Sequence, residues 1–302
     1  DFIAAETEKA GVRACLCYEV SDRDGQDIAN AGIRENTRFI NQNTNSRTLA
    51  GLFGLHAPFT LSDETLACAK KAAGSAGFHV HVAEGIEDVD SCLGRFGLRP
   101  LERLQKAGIL TEKSIFAHCV HLSQDEIESL ASSGCTMAHN PESNLNNAVG
   151  LAPILDYLAS GVRMGLGTDG FCQGLWYSLR NAFLLPKHFK RDPRVSWAEP
   201  LNLLEENSRK ASSVFGLPVG KICRGSAADL IALPYIPPTE FNNSNILGHL
   251  IFGIMGEPVT DVMCQGSLLM QDRRLLTLDE RQICRQSRDL CPQIWERFRS
   301  KP

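Results

Sequence analysis

Short apolar runs that end in an acidic or imidazole side chain recur along this chain. Three of them, at residues 77–84, 114–121 and 162–170, have the length of a buried strand and then switch abruptly to polar residues. Each is followed by a segment with the apolar period of a helix. Strand-like runs lie roughly 20–40 residues apart, which is the rhythm of β-strand–α-helix units. The pattern predicts an α/β protein built on parallel strands.

Six such strands are predicted, near residues 14, 52, 80, 116, 136 and 164. Parallel strands that present polar side chains at their carboxyl ends are typical of a (β/α) barrel, which closes with eight strands. Beyond residue 225 the pattern changes to strands around 227–233 and 259–276 and a closing helix over 279–298. We therefore predict an incomplete barrel over residues 1–222 and a small β portion with a terminal helix over 223–302.

Composition limits the choice of partners. With 302 residues, 43% of them hydrophobic, the chain can bury a large core. A net charge of −4 without a block of Lys or Arg argues against nucleic acid or an anionic membrane as partner. No apolar run approaches the roughly 20 residues of a transmembrane helix. Eleven cysteines without a C-x-x-C pair fit a reducing compartment, so we expect a cytoplasmic protein. Because nucleic acid and membranes are disfavoured as partners, we expect it to act on a small molecule.

Side chains suited to metal chemistry lie at the predicted strand ends. Four of the eight histidines and one aspartate share this position: His56, His81, His118, His139 and Asp169. A single histidine there is usually a core residue, but five such groups at one edge are unexpected by chance. Imidazoles and a carboxylate can hold a divalent ion that lowers the pKa of a bound water. The pattern predicts metal-assisted hydrolysis, with neighbouring His and Glu residues moving protons.

The other histidines are interpreted differently. His79 and His81 face the same side of one strand, but His81 is nearer the strand end and has Glu84 three residues later. We therefore favour His81 as the ligand and expect His79 to pack lower in the barrel. His121 is expected to be solvated or to support the site. His188 and His249 have no obvious partner and are taken as structural, as Glu19 is taken as part of a solvated loop.

The sequence Gly165-Leu166-Gly167-Thr168-Asp169-Gly170 matches the glycine fingerprint of dinucleotide-binding proteins. That fingerprint also needs a following helix, a second strand and an acidic residue about 20 positions later. Here residues 175–189 are continuously helical in pattern and no strand follows. We therefore reject a nicotinamide site.

Five ordered motifs resemble the amidohydrolase family, in its chlorohydrolase and deaminase branch. They are His56-Ala57-Pro58-Phe59-Thr60, His81-Val82-Ala83-Glu84, Ala117-His118, His139-Asn140-Pro141-Glu142-Ser143-Asn144 and Gly167-Thr168-Asp169-Gly170. They resemble the family's fourth to eighth strand motifs, so the six predicted strands would be strands 3–8 of its barrel. Residues 17–25 and 140–150 most resemble the SsnA-type aminohydrolases. The resemblance covers essentially the whole chain.

The resemblance implies a role for each matched residue. His81, Asp169 and His118 would be metal ligands, with zinc as the preferred ion and iron as the alternative. Glu84, His118 and Asp169 would be catalytic: Asp169 accepts a proton from water, Glu84 carries one to the leaving group, and His118 polarises the reacting group. The residues implied in substrate binding are His56, Asn140, Ser143 and Asn144.

The resemblance predicts a metal-dependent hydrolase of carbon–nitrogen bonds other than peptide bonds, most simply an aminohydrolase or deaminase. Dechlorination and cyclic-amide hydrolysis on the same scaffold stay open, as does a non-catalytic fragment that serves as a partner subunit. The family's first-strand H-x-H pair has no counterpart here. The chain is therefore expected to be the C-terminal part of a longer enzyme and inactive alone. A homodimer of the full-length protein is left open.

Overall fold

A five-stranded parallel sheet forms the centre of the protein. The computed structural model describes residues 2–171 and 173–300. Asp1, Cys172, Lys301 and Pro302, which the predicted units 1–222 and 223–302 include, lie outside the described residues. The strands are β1 (Ala14–Leu16), β2 (Leu49–Gly51), β3 (Phe53–Gly54), β4 (Phe78–Val82), β5 (Ile115–His118), β6 (Thr136–His139), β7 (Arg163–Leu166), β8 (Leu230–Ala232), β9 (Asp261–Cys264), β10 (Ser267–Gln271) and β11 (Arg274–Leu275).

Helices connect these strands. They are α1 (Phe2–Ala10), α2 (Gln26–Gln42), α3 (Asp63–Ala73), α4 (Ile86–Phe96), α5 (Pro100–Lys106), α6 (Gln124–Ser133), α7 (Pro141–Asn146), α8 (Ile154–Ala159), α9 (Leu175–Lys190), α10 (Glu199–Phe215), α11 (Ile246–Phe252) and α12 (Glu280–Ser300). No helix of the described residues is long and apolar enough to cross a membrane.

The central sheet has the order β3-β4-β5-β6-β7, with every neighbouring pair parallel. Its strands carry apolar side chains that are completely buried, such as Phe53, Phe78 and Phe116. Strands buried on both faces read as apolar runs, which is why the sequence reveals them. The predicted α/β fold with a parallel sheet is confirmed.

A buried amide interrupts the sheet at its first strands. β1 and β2 pair in parallel. Beyond them the side chain of Asn36 in α2, only 2% exposed, takes the place of the next pair of backbone hydrogen bonds. Its amide exchanges two hydrogen bonds of 2.8 Å with the backbone of Tyr18 and also reaches Gly54. Pairing resumes where Val20 forms a parallel bridge with Leu55. The strand predicted near residue 14 is therefore interrupted after Leu16.

Prolines mark the start of two short helices. α8 begins at Ile154, directly after Pro153. Pro141 begins α7, which was not predicted, and proline suits the first turn of a helix. α11 lies between the strand regions predicted at 227–233 and 259–276 and was not predicted either.

The C-terminal strands form a separate antiparallel sheet in the order β11-β10-β9-β8. Arg13, next to β1, pairs with Asp229, next to β8, at 2.6 Å, with the arginine side chain only 9% exposed. α12 buries none of its residues. The predicted boundary at residue 222 stays a prediction.

Replacing Glu126 with alanine is expected to lower the free energy of unfolding by about 3 kcal/mol, because it leaves buried partners unpaired. The Glu126 carboxylate is 4% exposed and accepts from the Arg99 guanidinium at 2.7 Å and from the backbone N–H groups of Leu101 and Ser123 at 2.9 Å. Urea denaturation measures the loss. Glu128→Ala, on the exposed face of the same helix, should change stability by less than about 0.5 kcal/mol. Equal losses in the two variants would contradict this assignment.

Candidate active site

The carboxyl ends of neighbouring strands meet at one edge of the sheet. His56 donates its backbone N–H to the Val20 carbonyl, and His81 donates its own to the His56 carbonyl, both at 2.9 Å. Across the next pair, Val82 lies opposite His118. Because parallel strands share their direction, these residues all end at the same edge, where α/β proteins bind ligands.

Several strands leave this edge through a strained backbone. Ala83, His118 and Asp169 have φ values of 47°, 69° and 55°, in the left-handed region that side chains rarely adopt. Such strain persists only where surrounding structure enforces it, and it clusters at functional sites. The left-handed turns occur at or beside the residues predicted to carry chemistry.

Glu84, His118 and Asp169 form what we call the His118 cluster. The His118 Nε2 atom lies 3.6 Å from a Glu84 carboxylate oxygen and 3.8 Å from an Asp169 oxygen. The imidazole is 1% exposed, whereas the carboxylates are 24% and 33% exposed. These distances are longer than a hydrogen bond, but they match the roughly 3–4 Å that separates the ligand atoms of one zinc-sized ion.

The tautomer of His118 fits a cation between these groups. Its Nδ1 lies 2.8 Å from the amide oxygen of Asn144, an acceptor, so Nδ1 carries the proton and Nε2 presents a lone pair. A buried lone pair that faces two carboxylates is unfavourable unless a positive ion lies between them. The donor set of one imidazole and two carboxylates is one that binds zinc and other divalent metals. The residues therefore fit a metal ion.

The two carboxylates are themselves held in place. Asp169 accepts hydrogen bonds from the Ser143 hydroxyl at 2.5 Å and from the Gly170 N–H at 2.6 Å. Partial burial raises the pKa of Asp169, but these two hydrogen bonds outweigh it, so the net pKa falls below its usual range. Glu84 accepts from the Asn147 amide at 2.9 Å.

Glu19, His56 and His81 form a second group, the Glu19 cluster. One oxygen of Glu19 and one ring nitrogen of each histidine all lie within 4.8 Å of one another. His81 donates from Nδ1 to the His56 carbonyl at 2.8 Å, which fixes its Nε2 as a lone pair. A backbone carbonyl in this position commonly orients a metal-binding histidine.

The His56 ring has the same tautomer. Thr60 donates its hydroxyl to the Ala57 carbonyl, so the Thr60 oxygen accepts from His56 Nδ1 at 2.9 Å. Burial lowers the pKa of His56, although the charge of Glu19 opposes the shift. The His81 and His118 rings lie 5.5 Å apart between centroids and connect the two clusters.

Sequence reasoning missed Glu19. It interpreted this residue as part of a solvated loop, yet the structure brings its carboxylate to two of the predicted site histidines. The apolar run that continues up to Glu19 indicates a strand end at this residue. The hydrogen bonds that the Asn36 side chain supplies in place of a neighbouring strand leave no mark in the local sequence pattern. Of the residues predicted in substrate binding, His56 lies at this edge, whereas Ser143 and Asn144 contact Asp169 and His118.

The remaining histidines occupy supporting positions. Burial lowers the pKa of His79 to about 4, and its ring lies 6.3 Å from that of His81 between centroids. His139 is 3% exposed, its pKa is also lowered by burial to about 4, and its Nδ1 has no partner among the described residues. His121 donates to the Val149 carbonyl at 2.7 Å. The expectation that His249 lacks a partner is wrong, because its Nδ1 hydrogen-bonds the Tyr235 hydroxyl at 2.7 Å.

The glycines near Asp169 serve close packing. A Cβ on Gly167 would lie 2.1 Å from the amide oxygen of Asn140, and one on Gly165 would lie 2.3 Å from that of Asn207. Asn207 pairs with both the N–H and the carbonyl of Leu166 at 2.9 Å, as a neighbouring strand would. These two glycines therefore allow two asparagines to approach the end of β7, which explains the first two glycines of the misleading fingerprint.

Comparison with known proteins identifies the class. The amidohydrolase family profile matches residues 1–269. A 5'-deoxyadenosine deaminase from Methanopyrus kandleri is 31% identical over 97% of this chain and 70% of its own length. A 5-methylthioadenosine/S-adenosylhomocysteine deaminase from Pelotomaculum thermopropionicum is 32% identical over 93% of this chain and 66% of its own length.

Solved structures share the fold. An adenosine deaminase from Xanthomonas campestris with bound zinc superposes with a TM-score of 0.85, at 24% identity over 97% of this chain and 69% of that one. The atrazine chlorohydrolase TrzN from Arthrobacter aurescens, complexed with zinc, gives a TM-score of 0.79 at 22% identity, over 95% of this chain and 68% of that one.

The chain therefore belongs to the amidohydrolase family, as its motifs predict. It is a metal-dependent hydrolase of carbon–nitrogen bonds other than peptide bonds, of the deaminase kind, and these predictions are confirmed. The hydrolytic chemistry of this family uses a divalent metal. The assignment of individual site residues stays a prediction.

Proposed function

We propose that this protein is a zinc-dependent deaminase of adenosine-type nucleosides. The observation that carries the proposal is the lone pair of His118 Nε2, buried and directed between the carboxylates of Glu84 and Asp169. Such a set can hold an ion, accept a proton and return one at a single place. The names of the relatives, which act on 5'-deoxyadenosine, 5-methylthioadenosine and S-adenosylhomocysteine, supply the substrate class.

His81, His118 and Asp169 would hold the ion, which when bound lowers the pKa of a water and so supplies a nucleophile at neutral pH. Asp169 accepts a proton from that water, and its low pKa keeps it ionised and ready. Glu84, held by Asn147, would carry that proton to the departing amine, which leaves as ammonia, and the second proton of the water would end on the neighbouring ring nitrogen. The Nδ1–H of the buried His118 ring is already held by Asn144, so this ring would act on the water as a metal ligand, and His56 would contact the substrate.

Further parts of the proposal rest on the sequence prediction. Zinc is preferred to iron because imidazole and carboxylate ligands suit it and a related fold holds zinc. The strands around residues 14 to 164 would be strands 3–8 of a (β/α)8 barrel, followed from residue 223 by the family's β-sandwich portion. Of the residues implied in substrate binding, Asn140 and Ser143 would lie beside the substrate pocket, whereas Asn144, which is completely buried, would act through His118. We place the enzyme in the cytoplasm and include a homodimer of the full-length protein.

The test is a substrate panel with the purified, zinc-loaded full-length protein. We expect ammonia release from 5'-deoxyadenosine, 5'-methylthioadenosine and S-adenosylhomocysteine, with conversion of each adenine ring to hypoxanthine. A chlorinated triazine serves as the control for dechlorination and should release no chloride. Chloride release without ammonia from any nucleoside would overturn the proposal, as would a protein that binds no divalent metal.

A further inference from the structure

We infer that Glu19 determines substrate specificity: it accepts a hydrogen bond from a hydroxyl or ammonium group of the substrate and disfavours an anionic group there. The inference rests on the proposed nucleoside deamination. It concerns the part of the substrate remote from the reacting carbon, whereas the His118 cluster concerns the reaction itself.

The position of Glu19 is fixed by the residues on both sides of it. Asn36 holds the N–H and the carbonyl of Tyr18 at 2.8 Å each. On the other side, Val20 donates to the Gly54 carbonyl at 3.2 Å and accepts from the His56 N–H at 2.9 Å. The backbone of Glu19 is therefore anchored at the edge of the sheet where the site lies, so only its side chain has to be ordered when a partner binds.

The Glu19 cluster contains acceptors only. His56 and His81 each use Nδ1–H within the protein, so each has a lone pair on Nε2, and the carboxylate of Glu19 can only accept. If the His81 lone pair binds the metal, the lone pair of His56 Nε2 and the Oε2 atom of Glu19 still have no donor among the described residues. A substrate group with O–H or N–H bonds would satisfy these acceptors, whereas a carboxylate or phosphate would face a like charge.

Charge and distance agree with this role. Glu19 pairs with the Arg23 guanidinium at 3.2 Å through Oε1, and both side chains are about half exposed, so water screens the pair and Oε2 stays available. The Glu19 carboxylate lies within 4.8 Å of a His81 ring nitrogen, and the His81 and His118 rings lie 5.5 Å apart between centroids. A nucleoside bound at the His118 cluster would extend past His81 with its sugar towards Glu19.

The experiment compares wild type with Glu19→Gln, which keeps the shape and removes the charge. Turnover is measured with adenosine, 2',3'-dideoxyadenosine and adenosine 5'-monophosphate. Binding is measured by calorimetry with the three corresponding inosine compounds, which carry no amino group to lose. Glu128→Gln, an exposed change on α6, is the matched control and should match wild type throughout.

In wild type we expect the nucleoside with free hydroxyls to be preferred over both other compounds. Glu19→Gln should reduce each preference by about tenfold to hundredfold, the usual worth of a hydrogen bond to a charged group. The ratio between compounds within one variant is independent of the fraction of protein that is folded.

The outcomes separate the two proposals. If wild type deaminates adenosine but Glu19→Gln changes all three compounds equally, the role of Glu19 is wrong and the proposed function stands. If wild type deaminates no nucleoside yet binds the inosine series with the Glu19-dependent preference, the function is wrong and the role of Glu19 stands. If wild type binds none of the compounds, both are wrong.

Discussion

Asp169→Asn is expected to lower turnover by about 10³-fold or more while leaving the fold intact. The change removes a negative charge beside His118 Nε2, 3.8 Å away, and with it the proposed metal ligand and the proposed acceptor of the water's proton. Metal and general-base contributions together account for a loss of this size. The side chain is one-third exposed, so a neutral amide of the same shape is tolerated by the packing.

Three measurements check this expectation: kcat, metal content and melting temperature. Asp125→Asn makes the same chemical change on the exposed first turn of α6 and should leave all three near wild type. A variant Asp169→Asn with activity within about threefold of wild type would exclude Asp169 as ligand and base.

The sequence predicted the edge of the sheet because strand ends are marked by an abrupt change of polarity. In residues 77–84 and 114–121 the apolar run carries His81 and His118 close to its end, and parallel register then brings such ends together. One principle, the common direction of parallel strands, therefore placed most of the candidate site without coordinates. The same principle places His139 at this edge, although the sequence pattern does not distinguish a site histidine from a core histidine.

What escaped prediction depends on contacts between distant residues. Glu19 reaches the site because an amide from α2 substitutes for a strand rung, and no local pattern reports a rung supplied by a side chain. Likewise, the short motif from His139 to Asn144 gives no sign that Ser143 turns towards Asp169. Side-chain direction in a short helix such as α7 is set by tertiary packing.

This packing gives Asn144 a positioning role that mutation can separate from substrate binding. Its amide oxygen holds the Nδ1 proton of His118 at 2.8 Å, and Asn144 is completely buried. Without that acceptor the ring is free to take the other tautomer, which places a proton where the metal ligand is needed. Loss of such an orienting partner typically costs about 10–100-fold in activity or metal affinity.

We therefore expect Asn144→Leu, which keeps the volume but removes the acceptor, to lower both kcat and zinc affinity by about 10–100-fold. Asn144→Asp retains an oxygen at the same place and forms a carboxylate–histidine pair, so it should recover most of the lost zinc affinity. Competition with a zinc chelator and steady-state kinetics measure the two quantities, and melting temperatures identify a variant that merely misfolds. A residue that only bound substrate would raise KM and leave zinc affinity unchanged in Asn144→Leu. That outcome would assign Asn144 to the pocket rather than to the orientation of His118.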